Sequence, residues 1–257
     1  MQRQGPPRMA WWALFAATIA VGLSATPDLL DWSASLAVRS PLLPRLIDRL
    51  EGPVPPAERP EALLRAGLLE RLQQADRRWL PRTEPLPGGG TRYIYARRPG
   101  EPALSIPELQ ALIASPPSHA AEQRAIVALL GGLGRIGVRL QLAEPRKTGA
   151  AAEWDHSRRT LRIAPAALQQ GSLDFARMLN HEAIHVAQSC AAGHLRARPH
   201  RLGLPAGDDP TIERQISDPI YAGASAWESD LEREAYSQQN RLGQGEALLY
   251  RHCSPTA

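Results

Sequence analysis

The chain has 257 residues, of which 43% are apolar, so it can bury a hydrophobic core and is not an intrinsically disordered polypeptide. The formal net charge at pH 7 is only +4, and the positive charge is almost all arginine scattered along the chain, with Lys147 as the one lysine. Nucleic-acid-binding proteins concentrate basic residues on one face. The composition therefore argues against a nucleic-acid partner and favours a globular protein.

The N-terminal residues predict where the protein works. Arg3 and Arg8 precede a nearly uninterrupted apolar run from Met9 to Ala25, and acidic residues follow it. This charge bias keeps the N-terminus in the cytoplasm and sends the following chain across the membrane. The run is slightly shorter than the roughly 20 residues that span a bilayer, and small residues near its end could serve a signal peptidase. Residues 1–26 are therefore either a cleaved signal peptide or a retained signal-anchor helix. The rest is expected on the non-cytoplasmic side, membrane-anchored or secreted.

Residues 27–117 are predicted to form a mainly helical, proline-rich accessory region. Prolines crowd residues 53–60, where each one removes a backbone donor and disfavours helix before it. Leucines recurring on one face predict a helix over 61–80. A short strand over 92–96 and a short helix over 108–114 complete the region, which is too rich in proline and glycine for a large core of its own.

Residues 118–257 have the pattern of an α+β domain. A helix is expected over 120–130, and apolar residues at every second position predict a half-buried strand over 136–142. Trp154, a turn over 155–158 and a second alternating run over 160–164 predict a β-hairpin. The expected order is helix, strand, hairpin, helix, loop and helix.

A helix predicted between Ser172, a candidate N-cap, and Gly193 carries the most informative motif. It contains HEAIH, in which His181 and His185 are four residues apart. Residues at this spacing project from one helix face about one turn apart, so both imidazoles can bind one tetrahedral ion. A zinc ion at that point lowers the pKa of a water molecule, and the adjacent Glu182 can take the proton. The motif predicts Zn²⁺-dependent hydrolysis with Glu182 as general base and acid.

A catalytic zinc ion needs a third protein ligand and an open position. The candidates are three glutamates in a helix predicted over 227–236. Helical periodicity alone does not choose between them, because Glu228 and Glu234 lie nearer the apolar face than Glu232. Glu228 also forms a capping-box pattern with Ser225, which gives it a competing local role.

The segments HEAIHVAQ and EREAY, the latter over residues 232–236, resemble the gluzincin group of zinc metallopeptidases, in which a glutamate on a later helix completes HExxH. The resemblance implies a zincin-like domain with a small sheet and an HExxH active-site helix. It implies Zn²⁺ held by His181, His185 and Glu232, with Glu228 or Glu234 as alternatives to Glu232. The chain departs from the family at Tyr236, where an aspartate often orients one histidine.

The same resemblance implies a peptide or protein substrate, with the strand over 160–164 adding an extended peptide as an extra strand. Tyr221 and His200 are candidate donors to the oxyanion. The basic loop 194–201 is either a solvated loop or a contact for acidic substrate groups or lipid head groups. The alternative function is a non-catalytic, membrane-associated binding or assembly factor that keeps the zincin scaffold.

The chain has two cysteines, Cys190 and Cys253. An even number is compatible with one disulfide in an oxidising compartment, and two separate buried thiols are the alternative.

Overall fold

A computed structural model describes residues 57–98, 101–205 and 209–254 of the protein. Segments with apolar residues at helical spacing form helices, and short segments with alternating apolar residues form strands. The helices are α1 (Pro60–Arg65), α2 (Leu68–Trp79), α3 (Ile106–Ala114), α4 (Ala120–Arg135), α5 (Ser172–Ala191), α6 (Pro210–Ile216), α7 (Ala226–Gln238) and α8 (Gln244–His252). The strands are β1 (Arg82–Pro85), β2 (Thr91–Ile94), β3 (Arg139–Leu142), β4 (Ala152–Asp155) and β5 (Thr160–Ile163). The architecture is mixed α/β, and every described residue belongs to one compact unit, Val54–Ala257.

Several elements differ from the sequence-based expectation. The helix expected over 61–80 is two helices, α1 and α2, because Gly67 between them adopts a left-handed conformation with φ of 78°. The strand expected over 92–96 is β2, and it pairs with β1, for which the sequence indicated no strand. The helix expected over 120–130 continues to Arg135 and shortens the following strand to Arg139–Leu142.

The main sheet has three strands in the order β3-β5-β4. The predicted hairpin is confirmed, since β4 and β5 pair antiparallel, while β3 pairs parallel to the other side of β5. The expectation that residues 160–164 would add an extended peptide is therefore wrong, because β5 is bonded on both sides. In the part of the chain that the structure describes, the edge strand beside α5 is β4.

The helix α5 packs between the sheet, α4, α7 and α8. Its predicted apolar stripe is confirmed, because Phe175, Leu179, Val186 and Cys190 are all buried. Leucines of α1 and α2 belong to the same hydrophobic cluster as α4, α5, α8 and the sheet. A disulfide joins Cys190, near the end of α5, to Cys253, just after α8. Of the two alternatives that the sequence left open, one disulfide or two separate thiols, the structure therefore has the disulfide.

The N-terminus of α5 is capped by a residue far away in sequence. Ser172 is not the N-cap, because it is the first helical residue and donates both its N–H (2.7 Å) and its Oγ–H (2.6 Å) to the carboxylate of Asp76 on α2. Gly171 before it has a φ of 90°, and a Cβ there would collide with Asp76. A glycine is needed at 171 for both reasons.

Among the described residues, no helix is long and apolar enough to cross a bilayer. The run from Met9 to Ala25, on which the membrane prediction depends, lies outside those residues, as does the whole segment 1–26. The division into 1–26, 27–117 and 118–257 stays a prediction.

Candidate metal centre

The helices α5 and α7 bring three metal-ligating side chains together. On α5, Nε2 of His181 and Nε2 of His185 lie 3.1 Å apart, as the spacing of four residues predicts. From α7, Oε2 of Glu232 lies 3.1 Å from Nε2 of His181 and 3.5 Å from Nε2 of His185. Their side chains are only 9%, 12% and 19% exposed, so the ligand atoms face each other in a largely dry environment.

The triangle of ligand atoms has the dimensions of one face of a tetrahedral site. A zinc ion with ligand bonds of about 2.0–2.1 Å separates neighbouring ligand atoms by roughly 3.3 Å. The three observed separations, 3.1, 3.1 and 3.5 Å, scatter around that value. His181, His185 and Glu232 therefore form a group that could hold a metal ion. Two imidazoles and one carboxylate are a donor set that zinc accepts, with a fourth position left for water or substrate.

The three candidate glutamates of α7 have different partners in the structure. Glu228 forms the predicted capping box, since its Oε2 accepts from the Ser225 N–H at 2.7 Å and its own N–H donates to Ser225 Oγ. Glu234 is 1% exposed and accepts from the N–H groups of Leu202 and Leu204, each at 2.8 Å. Glu232 is the one glutamate of the three that meets the histidines.

Glu234 supports the site indirectly through Gln188 of α5. Nδ1 of His185 lies 2.8 Å from Oε1 of Gln188, and Nε2 of Gln188 donates to Oε2 of Glu234 at 2.8 Å and to the carbonyl of Leu231 at 3.3 Å. An Nδ1–H donated to Gln188 leaves Nε2 of His185 as the ligating nitrogen. This chain of hydrogen bonds was not predicted from the sequence, although Gln188 follows His185 by three residues and therefore lies on the same helix face.

Tyr236 makes no hydrogen bond to His181, so it does not act as the aspartate that gluzincins often have at this position would act. Its ring contacts the His181 ring edge-on, with centroids 4.6 Å apart. Its hydroxyl pairs with that of Tyr221 at 2.7 Å, and the Tyr221 hydroxyl also donates to Oε2 of Glu232 at 3.1 Å. Among the described residues, no hydrogen-bond partner meets Nδ1 of His181. Tyr236 thus holds His181 by packing, and Tyr221 holds the carboxylate.

The charge state of this group follows from its close packing. Burial works against a charged imidazole, but the carboxylate of Glu232 outweighs it and raises the pKa of His185 to about 9. Burial would raise the pKa of Glu232, yet the His185 and His181 imidazoles hold it far below its usual range. Without a metal ion, therefore, the site keeps a proton on His185 and a negative charge on Glu232.

Glu182 follows the first histidine on α5 and lines the cavity in front of the ligands. It is 6% exposed, and its Oε2 has no hydrogen-bond partner among the described residues. Burial raises the pKa of Glu182, although the imidazoles of His185 and His181 oppose the shift. A carboxyl group with a raised pKa can take up and release a proton near neutral pH, as general acid–base chemistry requires.

A cavity of about 400 Å³ opens over the three ligands and Glu182. The strand β4 forms one wall, and Tyr221 and Trp227 contribute aromatic rings. Two cations also line it: Lys147, and Arg198, whose guanidinium lies 3.8 Å from the centroid of the Trp227 ring.

Two further predicted residues can be placed relative to this cavity. Tyr221 lines it, whereas His200 is not among its lining residues and binds the carbonyl of Gln188 through its backbone N–H. Lys147, the one lysine of the chain, was not predicted to belong to the site.

No protein-family model matches the chain, and searches of curated proteins and of solved structures find no match.

Proposed function

We propose that this protein is a zinc-dependent peptidase in which His181, His185 and Glu232 bind the metal ion. The observation that carries the proposal is the triangle of ligand atoms with sides of 3.1, 3.1 and 3.5 Å, next to a buried carboxylate and open to a cavity. A purely structural metal site is usually closed by four protein ligands. Three ligands facing a cavity support a catalytic role.

A bound zinc ion would supply Lewis acidity, which lowers the pKa of a water molecule toward 7. Glu182 takes one proton from the attacking water, whose oxygen forms a bond to the carbonyl carbon while the π electrons move to the carbonyl oxygen. The electron pair on the oxyanion then returns to re-form the C=O bond as the C–N bond breaks, and the electron pair left on nitrogen accepts the proton from Glu182. The pKa of Glu182, raised by burial, suits a group that carries a proton between these two steps.

The edge strand β4 is the proposed binding surface for an extended peptide. Ala151 accepts a hydrogen bond from Ala164, so residues 151, 153 and 155 direct their main-chain groups toward β5. Ala152 and Trp154 then direct theirs away from the sheet, and both residues line the cavity. A substrate strand added at this edge would place a peptide bond beside Glu182. A small sheet with an edge strand beside an HExxH helix supports the zincin-like fold that the gluzincin resemblance implies.

The proposal includes a non-cytoplasmic location, membrane-anchored or secreted. It is supported by the charge bias around the apolar run Met9–Ala25 and by the disulfide between Cys190 and Cys253, since disulfides persist in oxidising compartments.

The test combines metal analysis with proteolysis of an unfolded protein such as reduced, alkylated casein. The wild type is expected to hold about one zinc ion per chain, and the double variant His181→Ala, His185→Ala to hold none. His194→Ala serves as the matched control, because this exposed histidine lies beyond α5 and outside the ligand group. Glu182→Gln is expected to keep its zinc and to lose about 10²–10⁴-fold in cleavage rate, the usual range for loss of a general acid–base group.

A wild type without stoichiometric metal would refute the proposal entirely. A wild type that binds zinc and cleaves no substrate would instead support the alternative, a non-catalytic binding or assembly factor.

A further inference from the structure

Lys147, the one lysine of the chain, lies inside the cavity of the metal centre. Its Nζ is 3.5 Å from the centroid of the Tyr221 ring and 4.0 Å from Oε1 of Glu232. Oε1 is the oxygen of Glu232 that faces away from the two histidines, because Oε2 makes both of those contacts. The ammonium group therefore stands beside the ligand triangle and is not part of it.

The loop between β3 and β4 holds Lys147 in this position through the residue before it. The backbone N–H of Arg146 donates to Oε2 of Glu153 at 2.6 Å, and its guanidinium donates to Oδ2 of Asp155 at 2.9 Å. Both acceptors belong to β4, and the Asp155 side chain is only 6% exposed. The edge strand that we propose as the peptide-binding surface thus also positions the lysine.

The donors of Lys147 remain available to a ligand. Its contact with Glu232 at 4.0 Å is longer than a hydrogen bond, and the ring of Tyr221 attracts the charge without using up its N–H groups. The side chain is 36% exposed, which leaves the ammonium open to the cavity. Burial lowers the pKa of Lys147, but Glu232, Glu228 and Glu182 all oppose that shift by favouring the charged form.

We infer that Lys147 is a catalytic residue that donates a hydrogen bond to the carbonyl oxygen of the scissile peptide as negative charge develops on it. The inference rests on the proposed peptidase function. Lys147 keeps its proton throughout, because the proton of the attacking water goes to Glu182 and then to the leaving nitrogen. Its positive charge stabilises the oxygen that receives the π electrons, beside metal ligands that are largely buried.

A different role for Lys147 would be to stabilise the ligand Glu232 through the ion pair at 4.0 Å. The two roles have different consequences. Loss of an oxyanion donor lowers kcat and leaves zinc affinity and KM nearly unchanged, because the interaction exists mainly in the transition state. Loss of support for Glu232 lowers zinc affinity.

The test compares Lys147→Gln, Lys147→Arg and the control Arg201→Gln. Arg201 is exposed, pairs with Asp230 at 3.7 Å and does not line the cavity, so the control removes one positive charge nearby but outside the site. For each variant we would measure zinc affinity, and kcat and KM on two peptides that differ only in a neutral or acidic residue after the scissile bond. Calorimetry would measure binding of N-phosphoryl-leucyl-tryptophan, whose tetrahedral phosphoryl group carries anionic oxygens, and of the planar leucyl hydroxamate.

For Lys147→Gln we expect kcat to fall by about 10²–10³-fold on both peptides, with KM changed less than about threefold. The phosphoryl probe should bind at least about tenfold more weakly and the hydroxamate should lose less, since the tetrahedral phosphoryl group resembles the charged transition state more closely than the planar hydroxamate does. Lys147→Arg should recover part of the loss, and Arg201→Gln should match the wild type.

Three results would overturn the inference. The first is an unchanged kcat in Lys147→Gln. The second is a fall in kcat/KM confined to the acidic peptide, which would make Lys147 a residue that recognises substrate side chains. The third is a loss of zinc affinity large enough to account for the loss of activity. If the wild type binds zinc but cleaves neither peptide, the proposed function fails and this inference fails with it. An active wild type with an equally active Lys147→Gln overturns the inference alone.

Discussion

Replacing Gln188 with leucine should weaken metal binding without altering any ligand. The Gln188 side chain accepts from Nδ1 of His185 at 2.8 Å and donates to Glu234 at 2.8 Å and to the Leu231 carbonyl at 3.3 Å. Loss of such a partner of a ligating histidine typically lowers metal affinity by about 10–100-fold. The lost bonds, one of them to a carboxylate, should also lower the free energy of unfolding by roughly 3 kcal/mol. Competition with a chromophoric chelator measures the affinity, and urea unfolding of metal-free protein measures the stability.

Gln238→Leu is the matched control for this prediction. Gln238 is also buried, and its Nε2 donates to the carbonyl of Pro205 at 2.9 Å, but it contacts neither histidine. Its replacement should lower stability and leave zinc affinity within about twofold of the wild type. Equal zinc affinities in Gln188→Leu and Gln238→Leu would show that the hydrogen bonds linking Glu234, Gln188 and His185 do not position the His185 imidazole.

Two further predictions concern protonation and packing. Zinc must displace the proton that the pair with Glu232 keeps on His185, so zinc affinity of the wild type should rise by about tenfold or more per pH unit between pH 7 and the pKa of about 9. Calorimetry in buffers of different ionisation enthalpy should show at least about one proton released per zinc at pH 7, and a pH-independent affinity would contradict this. Gly245→Ala should lower the free energy of unfolding by about 1–3 kcal/mol, because the new Cβ would lie 2.7 Å from Asn180 Oδ1 and 2.9 Å from the Cβ of Ala183. Gly131→Ala, with nothing within 4 Å, should instead stabilise the protein by about 0.5–1 kcal/mol, and equal effects of the two changes would refute the packing argument.

The choice among the three glutamates of α7 shows where sequence reasoning reaches its limit. Periodicity placed Glu228 and Glu234 nearer the apolar face, and family resemblance alone favoured Glu232. In the structure Glu234 is indeed buried on the apolar side of α7. Its carboxylate, however, binds Gln188 and the loop at Leu202 and Leu204 and does not meet the histidines. A buried acidic side chain satisfied by N–H groups and one facing a metal site look alike in a sequence, since both occupy a helix face turned toward the protein.

The edge strand shows the same limit. The hairpin of β4 and β5 was predictable, because alternation and a short turn are local features. Which of the two strands lies at the edge depends on where β3 docks, and β3 pairs with β5 across an intervening loop and hairpin strand. The parallel pairing of β3 therefore decided that β4, and not the strand over 160–164, lines the cavity.

By itself, the amino-acid sequence determined the helix that carries HEAIH, its buried stripe, the hairpin and the one-turn separation of His181 and His185. These features need only contacts between residues a few positions apart, which backbone geometry sets. Only the tertiary structure decided that Glu232 meets those histidines from 51 residues away, that Lys147 approaches Glu232 from a loop and that Cys190 pairs with Cys253. Such contacts depend on how helices pack against each other and where loops are held. The spacing of residues along the sequence does not reveal either of these.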